Sequence, residues 1–332
     1  MVGRIPPPAR RLAVRLGVFV ASVVVASLLV FWVASALPGN VAQVVLGVNA
    51  SPEAVARLEE QFGLTRPWPV RYAEWFGGVL TGDLGHSYLT GEPVVDQILP
   101  RLGVTAWLVG LAMAAAIIGS LPLGMWAAVR RRHLDGFLAS ALSQVGLAVP
   151  AFWLGIMLVV VFAVRLGRLP ANGYVPLSSG VGDWAAHLVL PVVSLAGVQA
   201  SVLARYVRSA TIEVLREDYW RTARAGGWRT FPALMRHGLR NLSLSVVTVI
   251  GLQLATLLAG AIIIESVFAL PGLGRLLLDA VAQRDLMVVQ DVVLLLVVAV
   301  LAINALVDLS YALLDPRLRG GEREQGRGED RG

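Results

Sequence analysis

The sequence predicts an all-α membrane protein with six transmembrane helices, and three observations carry that reading. Of its 332 residues, 56% are hydrophobic and 15% charged, and the mean hydropathy is +0.70. Soluble domains carry about 25% charged residues, so this chain has too few to cover a water-facing surface. Six apolar stretches, at 13–36, 103–129, 137–164, 187–205, 245–268 and 288–314, match the roughly 20 residues that cross a hydrocarbon core of about 30 Å. The charge falls in short arginine blocks between those stretches, a pattern of membrane topology rather than of a nucleic-acid-binding face.

Taken in order, residues 1–12 form a cytoplasmic N-terminus and 13–36 the first span. Arg4, Arg10, Arg11 and Arg15 ahead of an apolar run resemble a signal peptide. The run exceeds the roughly 7–15 apolar residues of a cleaved signal, and Leu37-Pro38-Gly39 is a poor cleavage site, so the span is read as retained. With the N-terminus inside, 20 of the 28 arginines lie on the inner side, which puts both termini in the cytoplasm by the positive-inside rule.

Residues 37–102 form an extracytoplasmic loop with helices of its own. Ser51-Pro52-Glu53 is a helix start, with a capping hydroxyl, Pro in the first turn and an acid at the positive dipole end. Val55, Leu58 and Phe62 give one apolar face, and Gly63 ends the helix. Trp68, Tyr72, Trp75 and Phe76 follow at near-helical spacing, as for a segment lying at the headgroup level. The remaining 103–316 hold the other five spans, with a basic cytoplasmic loop at 206–244. Pro271, Gly272 and Gly274 end the fifth span. A short amphipathic helix follows, with Leu276, Leu277, Ala280 and Val281 on its apolar side. The tail, 317–332, has no apolar run and is expected to be disordered.

Two absences narrow the chemistry. There is no Cys, which removes disulfides, thiolate catalysis and Cys-based metal sites. There is also no Lys, and a phosphate-cradling GxxxxGK[ST] loop needs one. An ATP-driven process would therefore require a partner that binds the nucleotide.

The basic loop is too elaborate for a connection. Ile212, Leu215, Tyr219 and Thr222 recur at helical spacing, and Gly226-Gly227 stops the helix. Glu217 and Arg221 stand as a favourable i,i+4 pair. Thr230 can cap a second helix through Phe231, Leu234 and Met235, with Arg236 and Arg240 on its polar side. The small residues at the bend suit close approach of another backbone. The plainer alternative is a basic anchor adsorbed to anionic lipid, which needs neither feature.

Several stretches in one order carry a family resemblance: GDLGHSYLTGEPVVDQILPRL, AVPAFWLG, VLREDYWRTARAGG, RHGLRNLSLSVVTVIGLQLA, ESVFALPGLGRLLLDAVAQRD and NALVDLSYALLDPRLR. Over nearly its whole length short of the tail, the chain resembles the permease subunit of oligopeptide/dipeptide-type ABC importers. The resemblance implies a type I ABC importer-like bundle in a bacterial-type cytoplasmic membrane and half of a translocation pore. It also implies a second permease subunit, two ATP-binding subunits and an extracytoplasmic substrate-binding protein. The chain itself would hold no cofactor, with ATP and Mg bound by the ATPase subunits.

The 211–241 segment would be the coupling loop, with Arg221-Thr222-Ala223 and Gly227 at the positions of the family's E-A-A and Gly. Asp218, Arg221, Thr222, Ala223, Arg224 and Gly227 are the expected ATPase-coupling residues. Gly226 stands where a Lys is usual, Ser245 where a Pro is usual and Asn40 where an Asp is usual.

Polar residues within spans cost free energy against lipid and turn inward. Gln144, Gln199, Gln253, Thr256 and Asn304 are therefore candidates for the path, with Asp308 nearer the inner end of the last span. Interhelical hydrogen bonding is the alternative use of such residues. His86, His133, His187 and His237 lack metal-ligand spacing, which argues against a membrane hydrolase. An ion-coupled secondary transporter would leave the folded basic loop without a task. Peptides are the expected cargo by frequency in the family, with glutathione or nickel complexes as alternatives.

Overall fold

The structure, a computed structural model, describes residues 7–36, 41–47, 49–234, 236 and 239–314. Asn40, Met235, His237 and the 317–332 tail lie outside them, as do the side chains of Arg240, Ser245 and Asp308. The described residues form helices and loops without a β-strand. In order the helices are α1 (Pro7–Ala36), α2 (Val41–Leu46), α3 (Pro52–Gln61), α4 (Trp68–Thr81), α5 (Val94–Val129), α6 (Leu134–Ala148) and α7 (Ala151–Leu158). There follow α8 (Val181–Val214), α9 (Asp218–Ala225), α10 (Thr230–Ala233), α11 (Leu239–Val267), α12 (Leu273–Gln283) and α13 (Leu286–Leu314).

Five of these, α1, α5, α8, α11 and α13, are long and apolar enough to cross a membrane, and α6 with α7 makes a sixth if the bent pair counts as one span. That bend corrects the expectation of one straight helix over 137–164: the axis turns by 101° between Ala148 and Ala151. Pro150 is the cause. Its ring keeps Val149 out of the helical region, here at φ −89°, ψ 120°, so α6 stops and a new helix starts. Beyond α7 the chain widens into a π-helical stretch, Val159–Arg165.

The chain divides into two compact units. The first comprises 1–107 with 269–302. Its core joins Val94 and Ile98 of α5 to Leu273, Leu276 and Ala280 of α12 and to Val288, Val289 and Val292 of α13. Val281, expected on the apolar side of α12, is 48% exposed, whereas Leu273, about two turns earlier, is buried. In α3, Ser51 caps as the sequence requires, accepting from the Ala54 N–H at 3.3 Å.

The aromatic run of α4 is turned mostly inward. Only Trp68 is exposed, while Trp75 is buried and packs with Phe31 of α1 and Leu294 of α13. Phe31 meets Tyr72 edge-on at 5.5 Å and Trp75 at 5.6 Å. These rings hold α4 against α1 and α13. Burying the indole N–H leaves it needing an acceptor, and Trp75 Nε1 donates to Asp291 Oδ1 at 2.8 Å.

The second unit comprises 108–268 with 303–332 and is built around α8. Small residues set its close approaches. A Cβ at Gly124 of α5 would lie 2.6 Å from the Ala204 carbonyl and 2.7 Å from Val207 Cβ on α8, so only glycine lets these two helices meet there. Half of the α8 span is buried within the protein against 11% of the α1 span. The α8 helix is thus a central element of its unit, and α1 is a peripheral one of its own.

Candidate functional site

In the second unit, the basic segment after α8 folds as two short helices. The expected single helix from Ile212 to Thr222 is interrupted: α8 ends at Val214, Leu215–Glu217 turn, and α9 starts at Asp218. The Glu217 side chain therefore does not pair with Arg221. Glu217 serves as the N-cap residue of α9, and Arg221 reaches Asp218 instead, at 3.5 Å. Both partners are exposed, so this pair adds little stability.

What fixes α9 is apolar. Trp220, 7% exposed, sits in a cluster with Met125, Val207, Val214, Ala233, Leu234 and Val246, so α9 and α10 are tied to α5, α8 and α11. This anchor was not among the residues singled out from the sequence. A Trp within a basic, polar stretch was its available signal.

With Trp220 inward, helical geometry turns the other side of α9 out. Asp218, Arg221 and Thr222 lie on that side and are exposed; Arg224, one turn after Trp220 on its own face, is also exposed, and Ala223 is half-buried. Thr222 Oγ1 donates to the Asp218 carbonyl at 3.1 Å, and Arg224 Nη1 donates to the Trp228 carbonyl at 2.8 Å, closing the bend. Arg236 lies over the Trp228 ring, 5.5 Å from its centroid. The α9 helix stops at Ala225, and Gly227 takes φ +85°, a left-handed conformation that costs a side-chain-bearing residue about 1–2 kcal/mol. A Cβ on Gly227 would meet nothing within 4 Å. Packing inside the chain thus leaves the space beside it open. The Thr230 cap expectation shifts by one residue: Arg229 is the N-cap and Thr230 begins α10.

Of the polar residues expected in the spans, three come together in this unit. Gln253 Nε2 of α11 donates to Gln199 Oε1 of α8, Gln199 Nε2 donates to Thr256 Oγ1 at 3.4 Å, and Thr256 Oγ1 donates to the Gln253 carbonyl at 2.8 Å. Gln199 and Gln253 are each 8% exposed. Gln144 and Asn304 are exposed and do not join them. These bonds tie α8 to α11 through side chains.

The first unit holds a polar feature that sequence reading passed over. A cleft of about 310 Å³ is lined by α3, α4, the segment after α4 and the start of α13. Arg66 and Glu74 pair across its rim at 2.7 Å. Beside it Ser87 Oγ donates to Asp285 Oδ2, and the Tyr88 N–H donates to Asp285 Oδ1 at 3.3 Å. Burial pushes the Tyr88 phenol above its ordinary value, with Arg71 pulling it the other way.

An apolar bundle with a bent helix pair and a basic two-helix segment riveted to three of its long helices fits a membrane transport component. The chain belongs to the family described as binding-protein-dependent transport system inner membrane component, whose model matches residues 120–320. The N-terminal model of the same kind of component matches 9–109. It is therefore a multi-pass inner-membrane permease component of an ABC transport system with the type I importer fold.

The chain is 41% identical over 295 residues to a permease of Brucella abortus strain 2308 named for a peptide transport system, covering 89% of this chain and 94% of that one. It is 38% identical over 303 residues to one of Sinorhizobium fredii named for peptide ABC transport, with coverage of 90% and 96%. It is also 39% identical over 300 residues to the glutathione transport system permease protein of Salmonella typhimurium, with coverage of 90% and 95%.

Proposed function

We propose that this chain forms half of the translocation pore of an ATP-driven importer of short peptides and that α9 docks on the ATPase subunit. The observation that carries the docking role is the division of α9 into two sides. Trp220 ties it to α5, α8 and α11, while Asp218, Arg221 and Thr222 face outward, with an exposed Arg224 and an open Gly227 at the helix end. An element gripped by three long helices on one side and free on the other can pass a push to the spans. ATP and Mg belong to two partner ATPase subunits, since a chain without Lys has no Walker loop. A second permease completes the pore, and a binding protein delivers cargo from outside.

The arginine distribution supports an α9 on the cytoplasmic side, where nucleotide is available. Peptides as cargo rest on the names of relatives near 40% identity. The glutathione relative supports a narrower cargo within the same chemistry, glutathione being a tripeptide.

The test is purification of this chain from its native membrane and reconstitution with the proteins that accompany it. An ATPase and a second permease are expected to co-purify, and peptides with the binding protein are expected to raise ATP turnover. Ala223→Asp should abolish transport. A chain that purifies alone and moves substrate without ATP would be a secondary transporter instead.

A further inference from the structure

Two ionised side chains in the cleft of the first unit have no ion-pair partner among the described residues. Arg66 and Glu74 neutralise one another at the rim, which leaves Arg71 and Asp83, one cation and one anion lining the same space. Arg71 is half-buried, with its guanidinium 5.8 Å from the centroid of the Phe31 ring. A guanidinium is weakly hydrated and suited to bidentate capture of a carboxylate. Asp83 is held by its own loop: its N–H donates to the Gly78 carbonyl at 2.9 Å, and its Oδ1 accepts from the Gly85 N–H at 2.9 Å. That leaves the other carboxylate oxygen for an incoming ammonium. Tyr88 keeps its phenolic hydrogen at neutral pH, so the cleft has a neutral donor as well as its charges.

Between the charges the lining mixes apolar side chains, Phe62, Trp75, Leu84 and Met287, with the amides of Gln61 and Gln290, which can bond a peptide backbone. The volume of about 310 Å³ is at the small end of the roughly 300–1,000 Å³ usual for ligand pockets, which suits two or three residues rather than a long chain.

We propose that this cleft is a binding site for a short zwitterionic peptide, with Arg71 taking the terminal carboxylate and Asp83 the terminal ammonium. The inference rests on the peptide reading above and adds to it a site on the permease itself. Each charge alone recruits the wrong ligands weakly; together they favour a ligand that carries two unlike charges. A phosphatidylethanolamine headgroup carries the same pair, an ammonium and an oxyanion, so the test must separate the two sources.

The permease–ATPase complex without its soluble binding protein is reconstituted in nanodiscs of phosphatidylglycerol alone, and in parallel with phosphatidylethanolamine added. Binding of radiolabelled trialanine is compared with that of its N-acetylated, C-amidated form. We expect free-ended trialanine to bind in both lipids and the blocked peptide to bind at least tenfold more weakly. Arg71→Gln and Asp83→Asn should each weaken binding tenfold or more, with Arg71→Lys intermediate. Asp83 is exposed, so Asp83→Asn carries the test if Arg71→Gln proves misfolded by thermal melting.

Equal binding of blocked and free peptide, or unchanged binding by Asp83→Asn, overturns the site. Loss of peptide binding on adding phosphatidylethanolamine makes the cleft a lipid site and overturns it too. If the complete transporter with its binding protein still turns over on peptides in those cases, the importer reading stands without this site. If no peptide raises its turnover, the importer reading itself falls.

Discussion

Replacing Trp220 by Ala should release α9 from the bundle. The side chain is 7% exposed within a cluster drawn from α5, α8, α10 and α11. A buried Trp covers roughly 200 Å², and at about 25 cal/mol per Å² its loss removes about 5 kcal/mol. Measured Trp→Ala changes in cores run at about 3–5 kcal/mol. At about 1.4 kcal/mol per tenfold, the balance between seated and released α9 shifts by roughly two to three and a half orders of magnitude.

The chain has no Cys, which gives a clean assay. Ala233, fully buried in the same cluster, is replaced by Cys, and maleimide labelling is followed with and without Trp220→Ala. The introduced thiol should react slowly in the first protein and orders of magnitude faster in the second, with transport lost. Trp220→Phe should retain most of both. Unchanged labelling in the Trp220→Ala protein would refute the anchor, and retained transport despite fast labelling would refute its role in coupling.

Gly227→Ala should cost about 1–2 kcal/mol of local stability for the left-handed backbone alone, since its Cβ meets nothing within 4 Å. Gly227→Trp should in addition abolish ATPase co-purification, and equal co-purification of the two variants would remove the docking argument. Gln253→Leu strands the Gln199 side-chain oxygen, and an unsatisfied buried group costs about 1–3 kcal/mol; a lowered melting temperature with unaltered peptide selectivity would mark the cluster as structural. Glu53 is held below the ordinary glutamate value, first by its own backbone N–H and then by the Ser51 hydroxyl. Its contribution to α3 is therefore present above the ordinary value and lost as pH falls through the lowered one. Ser51→Ala should flatten that acid dependence in a hydrogen-exchange profile of α3.

The sequence determined the helical class, the positions of the spans within several residues and the presence of a folded basic segment. Apolar length, arginine placement and Gly226-Gly227 are local quantities, readable without knowing what touches what. Even the capping of α3 by Ser51 is of this kind. Pro150 lay in view inside the third apolar stretch, but the amount of its bend depends on how the two half-helices pack.

Only the tertiary structure decided which side of each amphiphilic stretch faces inward. Trp75 and Tyr72 have the composition of an interfacial belt, and it took Phe31, distant in sequence, to bury Trp75 in a core with Tyr72 packed at its edge. Gln199 and Gln253 read as separate candidates until α8 and α11 brought them into one hydrogen-bonded group. Arg66 and Arg71 are alike in sequence, yet one is neutralised by Glu74 and the other faces an open cleft. Burial and pairing are relations between residues far apart in the chain, and periodicity along one segment does not contain them.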